Sequence, residues 1–261
     1  VLVVLPSFIL YDIIDDSSML PVFFAVLAAL FTFSEYFFKY PSIVEFRFAA
    51  PINRHRFLTI FATVTLLSLV CKGVFAPTEL TLRVKHWGDV LGQAIDVPYS
   101  PVRLIVLMLH DSASVELIEI VRTAAGLAYA ISLLALVIFI LLVRVAKWPS
   151  RNGAFNVWVN LPLFDPTSGG DVLQRLKRDS TVNIILGFLL PFLIPAIVKA
   201  VTDLTGTLSL NDPQTLIWTI SAWAFLPASM IMRGIAMGRV AEMIEEKRRR
   251  AYAQSEAVHA S

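Results

Sequence analysis

The chain has 261 residues, of which 57% are hydrophobic and only 16% are charged, and its mean hydropathy is +0.71. Soluble domains average about a quarter charged residues because their surface faces water, so we expect much of this surface to face lipid. A formal net charge of +2, without a basic patch interleaved with aromatic residues, argues against a nucleic-acid partner. The single cysteine, Cys71, excludes an internal disulfide and a cysteine-rich metal site.

Apolar stretches predict an all-α, polytopic transmembrane helical bundle. A bilayer core about 30 Å thick needs about 20 apolar residues in a helix. The stretches of suitable length and apolar character are residues 19–38, 58–76, 124–143, 181–201 and 214–232. The segment 1–14 is too short to cross alone, and we interpret it as part of a span that upstream residues complete. The alternative is an interfacial segment, so the prediction is six spans or five.

The distribution of Lys and Arg predicts the orientation of these spans. Cations concentrate in residues 39–56, residues 144–178 and the tail, which carries the run Lys247-Arg248-Arg249-Arg250. The intervening loops hold mostly acidic residues, namely Asp12, Asp15, Asp16, Asp203 and Asp212. Since cytoplasmic loops carry the excess of Lys and Arg, we expect a cytoplasmic C-terminus. Inside-positive loops and an Ala- and Val-rich composition suit a bacterial inner membrane.

We therefore divide the chain into a transmembrane domain, residues 1–238, and a basic cytoplasmic helical tail, residues 239–261. The outer loop, residues 77–123, is long for a connector. Its first part predicts an amphipathic helix on the outer face, because apolar residues recur at helical spacing: Leu80, Val84, Trp87, Leu91 and Ile95. The following apolar piece, residues 102–109, is too short to span; it either re-enters the membrane or packs across the ends of the spans.

Two stretches are distinctive enough to be motifs, although one sequence does not show that they are. They are EFRFAAPINRHRF, residues 45–57, and NVWVNLPLFDPTSGGDV, residues 156–172. The second is rich in turn formers and is interpreted either as a docking loop or as an ordered connector. Small residues also predict close helix packing, within the chain or with a partner, at Gly126 and at the GxxxG of Gly234 and Gly238.

The sequence contains no recognised catalytic or metal-binding pattern. There is no GxSxG, HExxH, P-loop or GxGxxG sequence, and none of the four histidines falls in the middle of a span. The charges inside spans lie near their ends, where Glu35 is expected to pair with Lys39. We therefore expect no enzymatic activity, no cofactor and no bound metal.

Three functional hypotheses remain. The first is a non-catalytic subunit or assembly factor of a larger membrane complex, whose partners are membrane lipids and other membrane-protein subunits. Its candidate partner-binding residues are Trp87, Asn156, Trp158, Asn160, Asp165 and Asp171. The second is a small-solute or ion channel or transporter, which six spans and the helix-breaking Pro191 and Pro195 favour. Its candidate residues are Lys72, Asn183, Lys199 and Asp203.

The third hypothesis is a membrane-embedded enzyme that acts on lipid. It would use the cluster Arg54, His55 and Arg56 at the level of the headgroups. The same cluster is also explained as a cytoplasmic anchor, because Lys and Arg are enriched on the cytoplasmic side of membrane spans.

Overall fold

The computed structural model describes residues 1–11, 19–49, 51–109, 113–145, 148, 155–164, 170–205 and 210–259. Every regular element in these residues is helical. After a 3₁₀ turn at Leu2–Val4 come α1 (Leu5–Ile9), α2 (Leu20–Phe37), α3 (Ile52–Phe75), α4 (Glu79–Ile95), α5 (Pro101–Met108), α6 (Val115–Arg144), α7 (Val157–Asn160), α8 (Val172–Thr205) and α9 (Pro213–His259).

Among the described residues, five helices are long and apolar enough to cross a membrane: α2, α3, α6, α8 and α9. The predicted helical membrane bundle is therefore confirmed. Most of these helices extend beyond the apolar stretches, because polar residues outside the stretches support additional turns. The Ser114 Oγ, for example, accepts the Leu117 N–H and starts α6 well before residue 124.

The N-terminal segment does not supply a helix of spanning length in its described part, residues 1–11. It forms the turn Leu2–Val4 and the short helix α1, which ends at Ile9. Leu10 is fully buried, and the Ser7 Oγ lies 3.1 Å from Gln214 Nε2 of α9. The segment thus packs against α3 and α9.

Helix α4 occupies the predicted amphipathic segment, but only part of its apolar stripe faces the protein. The buried face consists of the small residues Thr81, Gly88 and Gly92, whereas Leu80 and Trp87 are exposed. Glycine is needed where α4 crosses α6, since a Cβ on Gly126 would lie 2.3 Å from the Gly92 Cα. Helix α5 packs against α6 and α8 with buried apolar side chains, in agreement with packing across the spans.

Two hydrophobic clusters form the core, one toward each end of the bundle. The basic end carries the C-termini of α2 and α6 and the N-termini of α3 and α8; its cluster includes Phe46, Phe139 and Met237. The opposite end is held by residues such as Leu67 and Ile217. At the basic end α8 and α9 pack closely, and a Cβ on Gly234 would lie 2.7 Å from the Ser180 O. The predicted GxxxG thus contributes to packing within the chain.

Candidate functional site

The two distinctive stretches of the sequence meet at the basic end of the bundle. The Asn160 backbone O accepts the Phe46 N–H at 2.6 Å, and the Asn160 Oδ1 accepts the Phe48 N–H at 3.0 Å. The Asn160 Nδ2 donates to the Asn156 O at 3.0 Å, and Asn160 is buried. We call this contact between residues 45–49 and residues 156–164 the loop junction. Both predicted asparagines, Asn156 and Asn160, therefore form hydrogen bonds within the loop junction, and Asn160 connects its two stretches.

Aromatic packing supports the loop junction. Phe46 has a φ of 54°, a conformation that costs an L-residue roughly 1–2 kcal/mol, yet its side chain is fully enclosed. Its ring meets Trp148 edge-on at 5.9 Å and lies 6.2 Å from Phe155. Burial of these large rings offsets the backbone cost. The junction is therefore an ordered platform.

A buried ion pair ties this platform to α9. The Arg233 Nε and Nη2 donate to the two Glu45 carboxylate oxygens at 2.5 and 2.8 Å. Glu45 is buried, and its backbone O accepts the Asn53 Nδ2 at 2.9 Å. Bidentate guanidinium–carboxylate geometry fixes orientation as well as distance. This pair was not predicted from the sequence, although Glu45 lies in one distinctive stretch and Arg233 lies at the end of the last span.

The C-terminus of α2 is fixed by a second set of contacts. The Glu35 carboxylate is buried and accepts the backbone N–H groups of Ser42, Ile43 and Val44 at 2.9–3.1 Å. The Arg47 Nη1 donates to the backbone O of Glu35 and of Phe38, each at 2.6 Å. The structure thus assigns Glu35 to a backbone loop, in place of the predicted pairing with Lys39.

The remainder of α2 is the least protein-covered span. Glu35 is the one buried residue of this helix. Buried residues make up 6% of its apolar window, against 17% in α8, 39% in α6, 44% in α3 and 56% in α9. Large aromatic side chains project from it, and the exposed rings of Phe33 and Phe37 stack at 5.2 Å. We call the exposed phenylalanine side chains of α2, namely Phe23, Phe24, Phe31, Phe33 and Phe37, the α2 aromatic surface.

The other predicted partner-binding residues lie apart from one another. Trp87 is 63% exposed on α4, toward the end opposite the loop junction. Asp171 pairs with Arg248, with its Oδ1 and Oδ2 2.9 and 3.1 Å from the guanidinium nitrogens. The Arg248 guanidinium, followed by the Leu173 N–H, lowers the pKa of Asp171. Asp165 and the side chain of Trp158 lie outside the described residues.

The end opposite the loop junction carries its own ionic cluster. Asp96 is nearly enclosed and lies 2.9 Å from Arg103 Nε and 2.8 Å from Arg122 Nε. Nearby, the Lys85 Nζ contacts the Asp89 Oδ2 at 2.9 Å, and Asp89 also accepts the Thr123 hydroxyl. Polar side chains here line a cavity of about 100 Å³. The contacts hold α4, α5 and α6 together.

The structure places Asn183 far from Lys199 and Asp203, with which it was predicted to form a transport site. Asn183 and Lys199 are 16 residues apart on α8, which places them about 24 Å apart along its axis. Lys199 pairs with Asp203 at 3.6 Å on the surface, and Asn183 donates to the Asp179 O at 2.7 Å. Lys72 lies on α3.

The Pro191 carbonyl, which Pro195 leaves without a helical hydrogen bond, has a partner on α9. Pro195 has no N–H for the backbone O of Pro191, four residues earlier. The Trp223 Nε1 of α9 donates to that oxygen at 3.0 Å in a buried position. The oxygen left without its helical partner by Pro195 therefore contributes to the pairing of α8 with α9.

The cluster proposed for lipid chemistry has a packing role at its histidine. The His55 Nε2 lies 2.8 Å from the Ala135 O of α6, and its ring stacks on Phe139 at 6.0 Å. Arg54 is exposed beside it. In the described part of the chain, no group of three or more His, Cys, Asp or Glu residues is arranged to hold a metal ion.

Comparison with known proteins gives no relative: no protein-family model, no curated protein and no solved structure matches this chain.

Proposed function

We propose that the protein is a non-catalytic subunit or assembly factor of a larger membrane complex and that it binds this complex through the α2 aromatic surface. The observation that carries the proposal is the exposure of α2, whose apolar window is 6% buried within the chain. The other four spans bury more of their surface against the rest of the protein.

Exposure alone does not distinguish a partner from lipid, but the composition of α2 favours a partner. Lipid tails are as apolar as leucine, so helices in a membrane associate through van der Waals packing. Phenylalanine offers a large contact area with few rotatable bonds, which makes its burial effective at an interface. The α2 aromatic surface provides several such rings on one helix.

The attachment of α2 also favours binding. The loop that caps Glu35 leads directly into the loop junction, and the Glu45–Arg233 pair ties that junction to α9. Helix α2 is therefore held by an ordered platform at its C-terminal end and contacts the turn Leu2–Val4, while most of its side chains are exposed. A surface fixed in this way loses little conformational entropy when a partner binds.

The same proposal includes a location and an orientation. We propose a bacterial inner membrane, with the basic end and the C-terminal helix in the cytoplasm. Cations cluster around the loop junction and along the end of α9, where the distribution of Lys and Arg predicts the inner face.

Extraction in mild detergent from native membranes, followed by sizing and mass spectrometry, tests the proposal. We expect a stoichiometric partner to travel with the native chain. The double variant Phe33→Ala/Phe37→Ala should lose most of that partner, because two adjacent exposed rings are removed. The matched control is Phe188→Ala/Phe192→Ala, which removes an aromatic pair from α8.

A lone monomer or homo-oligomer from native membranes would overturn the subunit assignment. Solute flux in liposomes would then test the channel or transporter hypothesis. A partner retained by the α2 variant but lost by the α8 control would place the interface on α8.

A further inference from the structure

A groove of about 830 Å³ lies at the basic end, between α6, α8 and α9. Helices α6 and α8 each pack against α9, and the groove occupies the space between them. Its inner wall is apolar and includes Ile140, Ile184 and Ile235. Its mouth is lined by charged side chains near the point where the spans end. The groove thus changes from apolar to charged along its length.

The polar side chain at the floor of the groove is hydrogen-bonded within the protein. The Ser180 Oγ donates to the Gly234 O at 2.7 Å, so this buried hydroxyl requires no ligand. A Cβ on Gly238 would lie 2.9 Å from the same Oγ. Glycine at position 238 therefore lets α8 approach α9 and keeps side-chain atoms out of the groove.

Of the described charged residues at the mouth, one cation lies outside the ion pairs. Arg239 is bound to Glu242 at 2.9 Å and lies 3.8 Å from Glu246, whose carboxylate is also 3.9 Å from Arg250. Arg144 lines the same mouth at the last turn of α6 and is exposed. Among the described residues Arg144 has no ion-pair partner. Three arginines and two glutamates give the mouth a net charge of +1.

We propose that this groove binds one phospholipid with an anionic headgroup. Its phosphate lies against Arg144 at the mouth, and an acyl chain lies along Ile140, Ile184 and Ile235. The apolar wall matches the acyl chain of such a lipid, and the cationic mouth matches its phosphate. In a bilayer the acyl chain likewise lies deeper than the phosphate. Basic pockets between transmembrane helices are known to select anionic headgroups. The site is independent of the α2 aromatic surface, because it lies on different helices.

The test uses the full chain, purified in detergent, with phosphatidylglycerol and phosphatidylcholine of identical acyl chains. We expect phosphatidylglycerol to raise the thermal unfolding midpoint more than phosphatidylcholine does, because a ligand that binds the folded state stabilises it. Native mass spectrometry should count one retained anionic lipid. Arg144→Gln should weaken its binding about fivefold, which corresponds to about 1 kcal/mol for one arginine near a headgroup.

Two variants separate this site from general membrane charge. The matched control is Arg178→Gln, which removes an exposed arginine at the same end but outside the groove, and we expect it to bind phosphatidylglycerol as the native chain does. Ile140→Trp places a larger side chain in the apolar wall and should reduce retention of the lipid. Glycerol phosphate at the same concentration supplies the headgroup anion without acyl chains, and we expect no stabilisation from it.

Equal stabilisation by phosphatidylcholine, or equal losses in Arg144→Gln and Arg178→Gln, would overturn the proposal. Stabilisation by glycerol phosphate as large as that by phosphatidylglycerol would also overturn it, because the site would then bind an anion without requiring acyl chains.

Discussion

The loop junction depends on a few residues whose partners are far away in the sequence. Asn160 contacts Phe48 across 112 positions, and Arg233 contacts Glu45 across 188. The residue types in the two stretches indicated that both were unusual. Local pattern could not show that they bind each other, because periodicity and turn chemistry describe neighbours along the chain. The predicted partner-binding role of Asn160 therefore stays a prediction, while its structural role is visible in the fold.

The Glu45–Arg233 pair leads to a prediction about the thermal stability of the protein. Arg233→Met removes the guanidinium and leaves the Glu45 carboxylate, which is 5% exposed, without its bidentate partner. Removal of one partner from a buried ion pair costs on the order of 3 kcal/mol, and Arg56, whose charge also acts on Glu45, offsets part of this cost. We expect a clearly lower thermal unfolding midpoint in detergent, and the double variant Glu45→Gln/Arg233→Met should recover part of the loss.

Arg178→Gln is the control for this measurement, because its side chain is 70% exposed and pairs with the adjacent Asp179. Exposed pairs of this kind contribute about 0–1 kcal/mol. A loss in Arg233→Met no larger than in Arg178→Gln would show that the pair is not important for stability.

Hydropathy predicted the helices of spanning length more readily than the surfaces that they bury. Stretches of about 20 apolar residues indicate α2 and α6 equally well, yet α6 lies within the bundle and α2 lies beside it. Lipid and protein interior are similarly apolar, so a hydrophobic pattern does not distinguish them. In α4, Val84, Leu91 and Ile95 of the predicted apolar stripe pack against the core, but small residues such as Gly92 decide where the helix crosses α6.

The long helix α9 is attached to α8 by two exposed ion pairs beyond the close-packed glycines. Asp171 contacts Arg248 at 2.9 Å, and Lys177 contacts Glu245 at 2.8 Å. The 47 residues of α9 extend about 70 Å, well beyond a bilayer core of about 30 Å. Together with the buried contacts of Val240 and Ala241, these two pairs hold α9 beside the start of α8.

Acid should release this attachment. Arg248 lowers the pKa of Asp171, so the contribution of the pair is present above the ordinary aspartate pKa of about 4 and is lost as the pH falls through the lowered value. We expect a spin label at position 252, introduced as Tyr252→Cys in a Cys71→Ala background, to become more mobile below about pH 4.

Asp171→Asn provides the comparison for this measurement. With one of the two pairs removed, the label should already be more mobile at neutral pH and should respond less to acid. Identical mobility in the two proteins throughout the pH range would show that the Asp171–Arg248 pair does not hold the helix.

For the whole molecule, the position of α2 implies that its aromatic surface is dispensable for folding of the chain. Phe33 and Phe37 are exposed, whereas Phe139 on α6 is 1% exposed and belongs to the core at the basic end. Removing a buried phenylalanine leaves a cavity and costs on the order of 3 kcal/mol. Removing exposed rings leaves none. We therefore expect Phe33→Ala/Phe37→Ala to have the same thermal unfolding midpoint in detergent as the unsubstituted protein. Phe139→Ala should unfold at a clearly lower temperature.

This comparison also determines how loss of a partner is interpreted. If the α2 double variant keeps its stability and loses the partner, the loss reports an interface, because the rest of the bundle is intact. If the double variant is destabilised as much as Phe139→Ala, α2 packs on its own chain more firmly than its exposure indicates. Loss of the partner would then reflect unfolding of the variant and not removal of an interface. The thermal measurement should therefore precede the extraction experiment: a destabilised double variant assigns the α2 aromatic surface to the fold, and a stable one lets a lost partner be assigned to an interface on α2.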